Sequence, residues 1–102
     1  MLTLMDQASG AYLVRTESSR YVISLDLQTV SRFPDQGPPT EFAVLRRDRR
    51  QIDLLQICEC RVGAPMELIV DLHIPNVPWT LRRSMPVMSI DRLSGSEEAV
   101  LL

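Results

Sequence analysis

The strongest constraint on the fold is a two-residue alternation of apolar and polar side chains in short runs. In the clearest run, Tyr21, Ile23 and Leu25 fall on one face of an extended chain, and Arg20 and Ser24 fall on the other. Successive side chains of a β-strand point to opposite faces, so this alternation predicts a strand with one buried and one solvated face. The chain is therefore expected to fold mainly as β-sheet.

Turn-forming residues separate these runs at intervals of about 8–12 residues, a spacing typical of all-β folds. Residues 11–33 predict a three-stranded antiparallel meander. Further strands are predicted at 42–47, 51–60, 66–74, 79–83 and 87–93. We expect one small antiparallel barrel or a two-layer β-roll of about seven or eight short strands, because either arrangement removes exposed sheet edges.

The run 51–60 is apolar on both faces near its middle. Its apolar residues mostly occupy even positions, such as Ile52, Leu54 and Cys58, while Leu55 and Ile57 lie on the opposite face. Such a strand is either central in its sheet or bulged. The alternative is a short helix over residues 47–60, but the residues lack a clean three-and-four spacing and their composition favours a strand.

The length of 102 residues and the 45% hydrophobic content are those of one globular domain. We expect an N-terminal segment at 1–10, the all-β domain at 11–93 with a proline-rich surface loop at 34–41, and a tail at 94–102 that is frayed or a short amphipathic helix. A chain this short buries a limited share of its surface, so a homodimer would widen its stability margin.

The charge balance disfavours nucleic acid as a partner, because the net charge is −2 and phosphate binding needs a basic surface. Membrane insertion is not predicted, since no apolar run approaches about 18 residues. Residues 1–10 lack the features of a signal peptide, so a cytoplasmic location is expected. All 11 basic residues are arginine. This bias is typical of a GC-rich genome, and we expect a bacterial source.

Six of the arginines form two groups near predicted turns. Guanidinium groups bind phosphates and carboxylates bidentately, so these groups could form an anion site for a nucleotide, a nucleic acid or an acidic peptide. The alternative is a solvated hairpin tip that guards against aggregation of strand edges. The anion-binding candidates are Arg46, Arg47, Arg49, Arg50, Arg82 and Arg83.

Catalytic and metal-binding residues are not predicted, and no cofactor is implied. His73 shares a predicted strand face with Asp71, but no nucleophile is placed beside this pair by the sequence. Cys58 and Cys60 are one residue apart, a spacing that disfavours a mutual disulfide and fits no common zinc family. They are expected to be free thiols, and an enzyme or metal site built from these four residues is the weaker alternative.

The region 75–88 carries the candidates for a protein interface. A single tryptophan in a chain with two tyrosines and two phenylalanines is more often part of the core, so Trp79 is expected to be packed, with an exposed anchor as the alternative. The interface candidates are Val77, Trp79, Met85 and Met88. The sequence thus favours a non-enzymatic interaction module that binds a protein partner or a second copy of itself.

Overall fold

Six antiparallel strands form one closed sheet in the computed structural model, which describes residues 1–34 and 51–93. The strands are β1 (Ala11–Thr16), β2 (Ser19–Ser24), β3 (Thr29–Pro34), β4 (Ile52–Glu59), β5 (Pro65–Asp71) and β6 (Thr80–Leu93). Each strand pairs with the next along the chain, and β6 pairs with β1. The prediction of a small antiparallel barrel is therefore confirmed. The described ranges contain no helix that could cross a membrane.

The predicted meander is present as β1, β2 and β3. The turn between β1 and β2 has two residues, and Thr16 and Ser19 close it with two hydrogen bonds of 3.1 Å, one donated by the Ser19 amide and one by the Thr16 hydroxyl. The expected solvated face of β2 is wrong, because Val22 is buried. It lies opposite Leu13 on β1 and Ser31 on β3, and both of these residues are also buried.

Strand β4 is bulged twice, which resolves its two-sided apolar pattern. Leu54 lies opposite Val70 but Gln56 lies opposite Ile69, so Leu55 is an extra residue in the strand. Each bulge shifts the alternation of faces by one position. In the second bulge, between Ile57 and Glu59, Cys58 is the extra residue. With one extra residue in each step, the interior side chains are three positions apart instead of two: Leu54, Ile57 and Cys60. Cys58 therefore leaves the face on which the simple alternation placed it. The helical alternative is wrong for residues 52–59, which form a strand, and its first four residues lie outside the described ranges.

The two strands predicted at 79–83 and 87–93 are one continuous strand, β6. Its first half pairs with β5, and its second half pairs with β1. Pro86 lies where the strand changes partners, a place where a residue without an amide hydrogen is tolerated. The predicted strand 42–47 and the tail 94–102 lie outside the described residues, as does the predicted loop 34–41 except for Pro34, which ends β3.

The N-terminal segment packs onto the barrel and contributes to its core. Leu4 is 2% exposed, and its amide donates a 2.9 Å hydrogen bond to the carbonyl of Cys60. The hydroxyl of Tyr12 donates a 2.7 Å hydrogen bond to the carbonyl of Ser9, just before β1. The rest of the core comes from the interior faces of the strands and includes Tyr12, Val14, Ile23, Val30, Met66, Leu68, Val70, Val87 and Ile90.

Adjacent leucines in β4 provide a test of the bulged register. Leu54 is 6% exposed and Leu55 is 53% exposed. Leu54→Ala should lower the free energy of unfolding by about 2–5 kcal/mol, because it opens a cavity in the core. Leu55→Ala should change it by no more than about 0.5 kcal/mol. Urea unfolding of both variants measures the difference, and equal losses would contradict the register.

Candidate functional site

Large apolar side chains are exposed along β6 and just before it. The four interface candidates Val77, Trp79, Met85 and Met88 are 38%, 56%, 51% and 64% exposed. The expectation that Trp79 belongs to the core is wrong. Leu81, which the sequence analysis did not single out, is 52% exposed. We call the exposed set Val77, Trp79, Leu81, Met85 and Met88 the β6 surface.

The register of the strands explains this exposure. Leu81 lies opposite Ile69 on β5, so the two share the outer face of the barrel. Met88 is an extra residue, because Ser89 pairs with Arg15 while Val87 pairs with Thr16. A second bulge in β6 lies opposite the stretch from Pro65 to Glu67 and sets the direction of the side chains near Met85. The exposure of Met88 therefore follows from a bulge that the alternation alone does not reveal, whereas Leu81 is exposed in the regular register.

A charged pair lies on the same outer face as Leu81. Arg83 is opposite Glu67, and the Arg83 Nε atom lies 3.8 Å from the Glu67 Oε1 atom. Both side chains remain substantially exposed. The outer face of β5 and β6 thus presents apolar side chains together with one positive and one negative group.

A cavity of about 700 Å³ opens at one side of the barrel, next to β3 and β6. Among the described residues, β3 and β4 are joined by two residue pairs, Thr29 with Asp53 and Val30 with Ile52. The sheet is therefore least extensively paired beside this cavity. The apolar lining consists of Val30, Ile52, Met66, Leu68 and Val70, with Met85 at β6.

Two arginines line this cavity from strand positions that share the interior face, and both residues are exposed at its rim. Arg82 lies opposite Leu68, which is 2% exposed in the core, so Arg82 shares the interior face. Arg32 lies opposite Tyr21, which packs against the core, and both residues line the cavity. Arg32 and Tyr21 were not predicted as site residues, because the sequence of one strand does not reveal which residue of the neighbouring strand lies opposite.

The structure therefore separates the six arginines proposed for anion binding. Arg82 faces the cavity, whereas Arg83 borders it but has its guanidinium group near Glu67. The four candidates at the predicted hairpin tip lie outside the described residues: Arg46, Arg47, Arg49 and Arg50. The prediction that these four arginines bind an anion therefore remains untested by the described residues.

His73 takes part in a polar cluster at the end of β5. Its Nε2 atom lies 2.6 Å from the Asp53 Oδ2 atom, and its amide donates a 2.8 Å hydrogen bond to the Asp71 Oδ1 atom. His73 lies in a turn directly after the strand and has a positive φ of 56°. The hydrogen bond to the Asp71 carboxylate stabilises this turn. The His73 side chain is 70% exposed. Asp53 was not predicted as a neighbour, although its position opposite Asp71 brings it there.

The two cysteines lie away from this cluster. Asp53 and Asp71 pair at one end of β4 and β5, while Cys58 and Cys60 lie near the other end, where Glu59 pairs with Glu67. In residues 1–34 and 51–93, no group of three histidine, cysteine or acidic residues is arranged to hold a metal ion. The four residues of the alternative enzyme site are therefore not brought together.

Cys60 is buried in the core. Burial, together with the nearby negative charge of Glu59, raises the pKa of the Cys60 thiol to about 12. The thiolate is the nucleophilic form of cysteine, so Cys60 is protonated and unreactive at neutral pH. Cys58 is partly exposed.

Comparisons of the chain with protein-family models, with curated proteins and with solved structures find no match. Two features of the described residues therefore carry the functional argument. One is the exposed β6 surface, and the other is the cavity lined by Arg32 and Arg82.

The thiols should differ strongly in reactivity. With a thiol-specific chromogenic reagent at pH 8, we expect one fast equivalent from Cys58 and a second from Cys60 that appears only when the protein unfolds, because Cys60 is buried and has a raised pKa. The Cys58→Ser variant should lose the fast equivalent. Two equally fast equivalents in the folded protein would contradict the placement of Cys60.

Proposed function

We propose that this barrel is a non-enzymatic interaction module that binds a protein partner through the β6 surface, and that this partner is a second copy of the chain. The observation that carries the proposal is the exposure of Trp79, Leu81, Met85 and Met88, each of which is more than half exposed. Burying such side chains is the main favourable contribution to association.

The composition of the β6 surface supports a protein partner. Tryptophan, methionine and arginine are enriched at the centres of protein interfaces, and Trp79, Met85, Met88 and Arg83 occupy one stretch of the chain. Tryptophan and arginine are also the residues that most often dominate binding energy. Arg83, Met85 and Met88 lie on β6 and Trp79 lies directly before it, so little backbone ordering is needed on binding.

The charges of this face support self-association. In a dimer with two-fold symmetry the same patch faces itself, so it must be complementary to its own copy. Arg83 and Glu67 lie side by side, which allows each arginine to approach the glutamate of the other copy. The short chain also gains stability when it buries additional apolar surface.

Sedimentation equilibrium over a range of protein concentrations tests this proposal. The wild-type protein should show a monomer–dimer equilibrium. Trp79→Ala and Leu81→Ser should each raise the dimer dissociation constant about 10-fold or more, because interface anchors typically contribute about 2 kcal/mol.

Leu27→Ser is the matched control, since Leu27 is 60% exposed in the turn between β2 and β3, away from the β6 surface. It should leave the dissociation constant unchanged. A wild-type protein that stays monomeric at every concentration would overturn the proposal, and so would a dimer that Leu27→Ser weakens as much as Leu81→Ser does.

A further inference from the structure

We propose that the cavity beside β3 and β6 binds a small amphipathic anion, with a carboxylate or phosphate group at the arginines and an aliphatic chain in the apolar part of the cavity. The cavity shares Met85 and Arg83 with the proposed dimer surface, but binding of a ligand inside it does not require a dimer. Three observations support the proposal: the size of the cavity, its apolar lining and the two arginines at its rim.

The cavity has the size and lining of a small-molecule site. Its volume of about 700 Å³ is within the range of about 300–1,000 Å³ that ligand pockets occupy. Met66, Leu68 and Val70 form its floor on the interior face of β5, and each is at most 2% exposed. The more accessible apolar lining comes from Tyr21, Ile52 and Met85. Aliphatic side chains and a flexible methionine form a wall that fits an alkyl chain without requiring one exact shape.

The positive charge of the cavity lining favours a negatively charged ligand. Arg32 and Arg82 reach it from β3 and β6, and Tyr21 adds a phenol group. Within the described ranges, no carboxylate forms an ion pair with Arg82. A guanidinium group binds a carboxylate or phosphate through charge-assisted hydrogen bonds, and the exposed position of Arg82 leaves its donors accessible.

The position of Arg82 is unusual for a barrel strand. Interior positions of small barrels are normally filled by apolar side chains, and the neighbouring Leu68 and Val70 follow this rule. Arg82 shares this face but is exposed, at the rim where the cavity opens. A site with an apolar body and a few placed polar groups is the usual form of a small-molecule pocket.

Methyl NMR of protein labelled with ¹³C at the methionine methyl groups tests the proposal on the wild-type chain. Octanoate and octyl phosphate serve as the anionic probes, and 1-octanol serves as the neutral probe. Either anion should shift the Met66 signal in a saturable manner and leave the Met88 signal unchanged, because Met66 lines the cavity and Met88 does not. The tighter of the two anions identifies the preferred head group.

The charge requirement is tested with variants and with salt. Arg82→Gln should weaken octanoate binding at least about 10-fold, a loss typical of one charged hydrogen bond. Arg15→Gln is the matched control, since Arg15 is exposed on β1 and does not line the cavity. Added sodium chloride should weaken binding of octanoate to the wild-type protein but not of 1-octanol, and this measurement needs no variant to fold.

Three results would overturn the proposal. The first is equal affinity for octanoate and 1-octanol, which would remove the role of the arginines. The second is a shift of Met88 without a shift of Met66, which would place the probe on the β6 surface. The third is an unchanged Met66 signal with every probe up to its solubility limit.

Discussion

The pairing of β6 with β1 is the interaction on which the rest of the structure depends. An open sheet of six short strands would expose two edges and one apolar face, whereas pairing of the last strand with the first places the apolar face inside. For the barrel to close, β6 pairs with two strands: its first half pairs with β5 and its second half pairs with β1. Its 14 residues make it the longest strand, and Pro86 lies at the change of partner.

Bulges then decide which side chains face the interior. In β4, two extra residues move the interior set to Leu54, Ile57 and Cys60, so an apparently two-sided strand has one core face. In β6, extra residues turn Met88 outward, and the hydroxyl of Ser84 accepts a 3.1 Å hydrogen bond from the Met66 amide near the other bulge. A bulge in β6 therefore adds Met88 to the exposed apolar side chains.

The limited pairing of β3 with β4 accounts for the second functional feature. The barrel is well packed around Val14, Ile23 and Ile90, but two residue pairs join β3 to β4 within the described ranges. The cavity lies at this side and exposes part of the apolar interior together with Arg32 and Arg82. The polar cluster around His73 has a simpler physical role, since Asp71 stabilises the turn after β5 and Asp53 links β4 to that turn.

The sequence by itself determined the all-β class and the meander of β1 to β3, because these depend on local alternation and turn chemistry. It also indicated a bulge in β4. Only the tertiary structure decided that residues 80–93 form one strand, that Trp79 is exposed, and that Arg82 and Arg83 lie on opposite faces. The reason is that cross-strand register and bulge position depend on contacts between distant residues, and a shift of one residue moves a side chain to the other face.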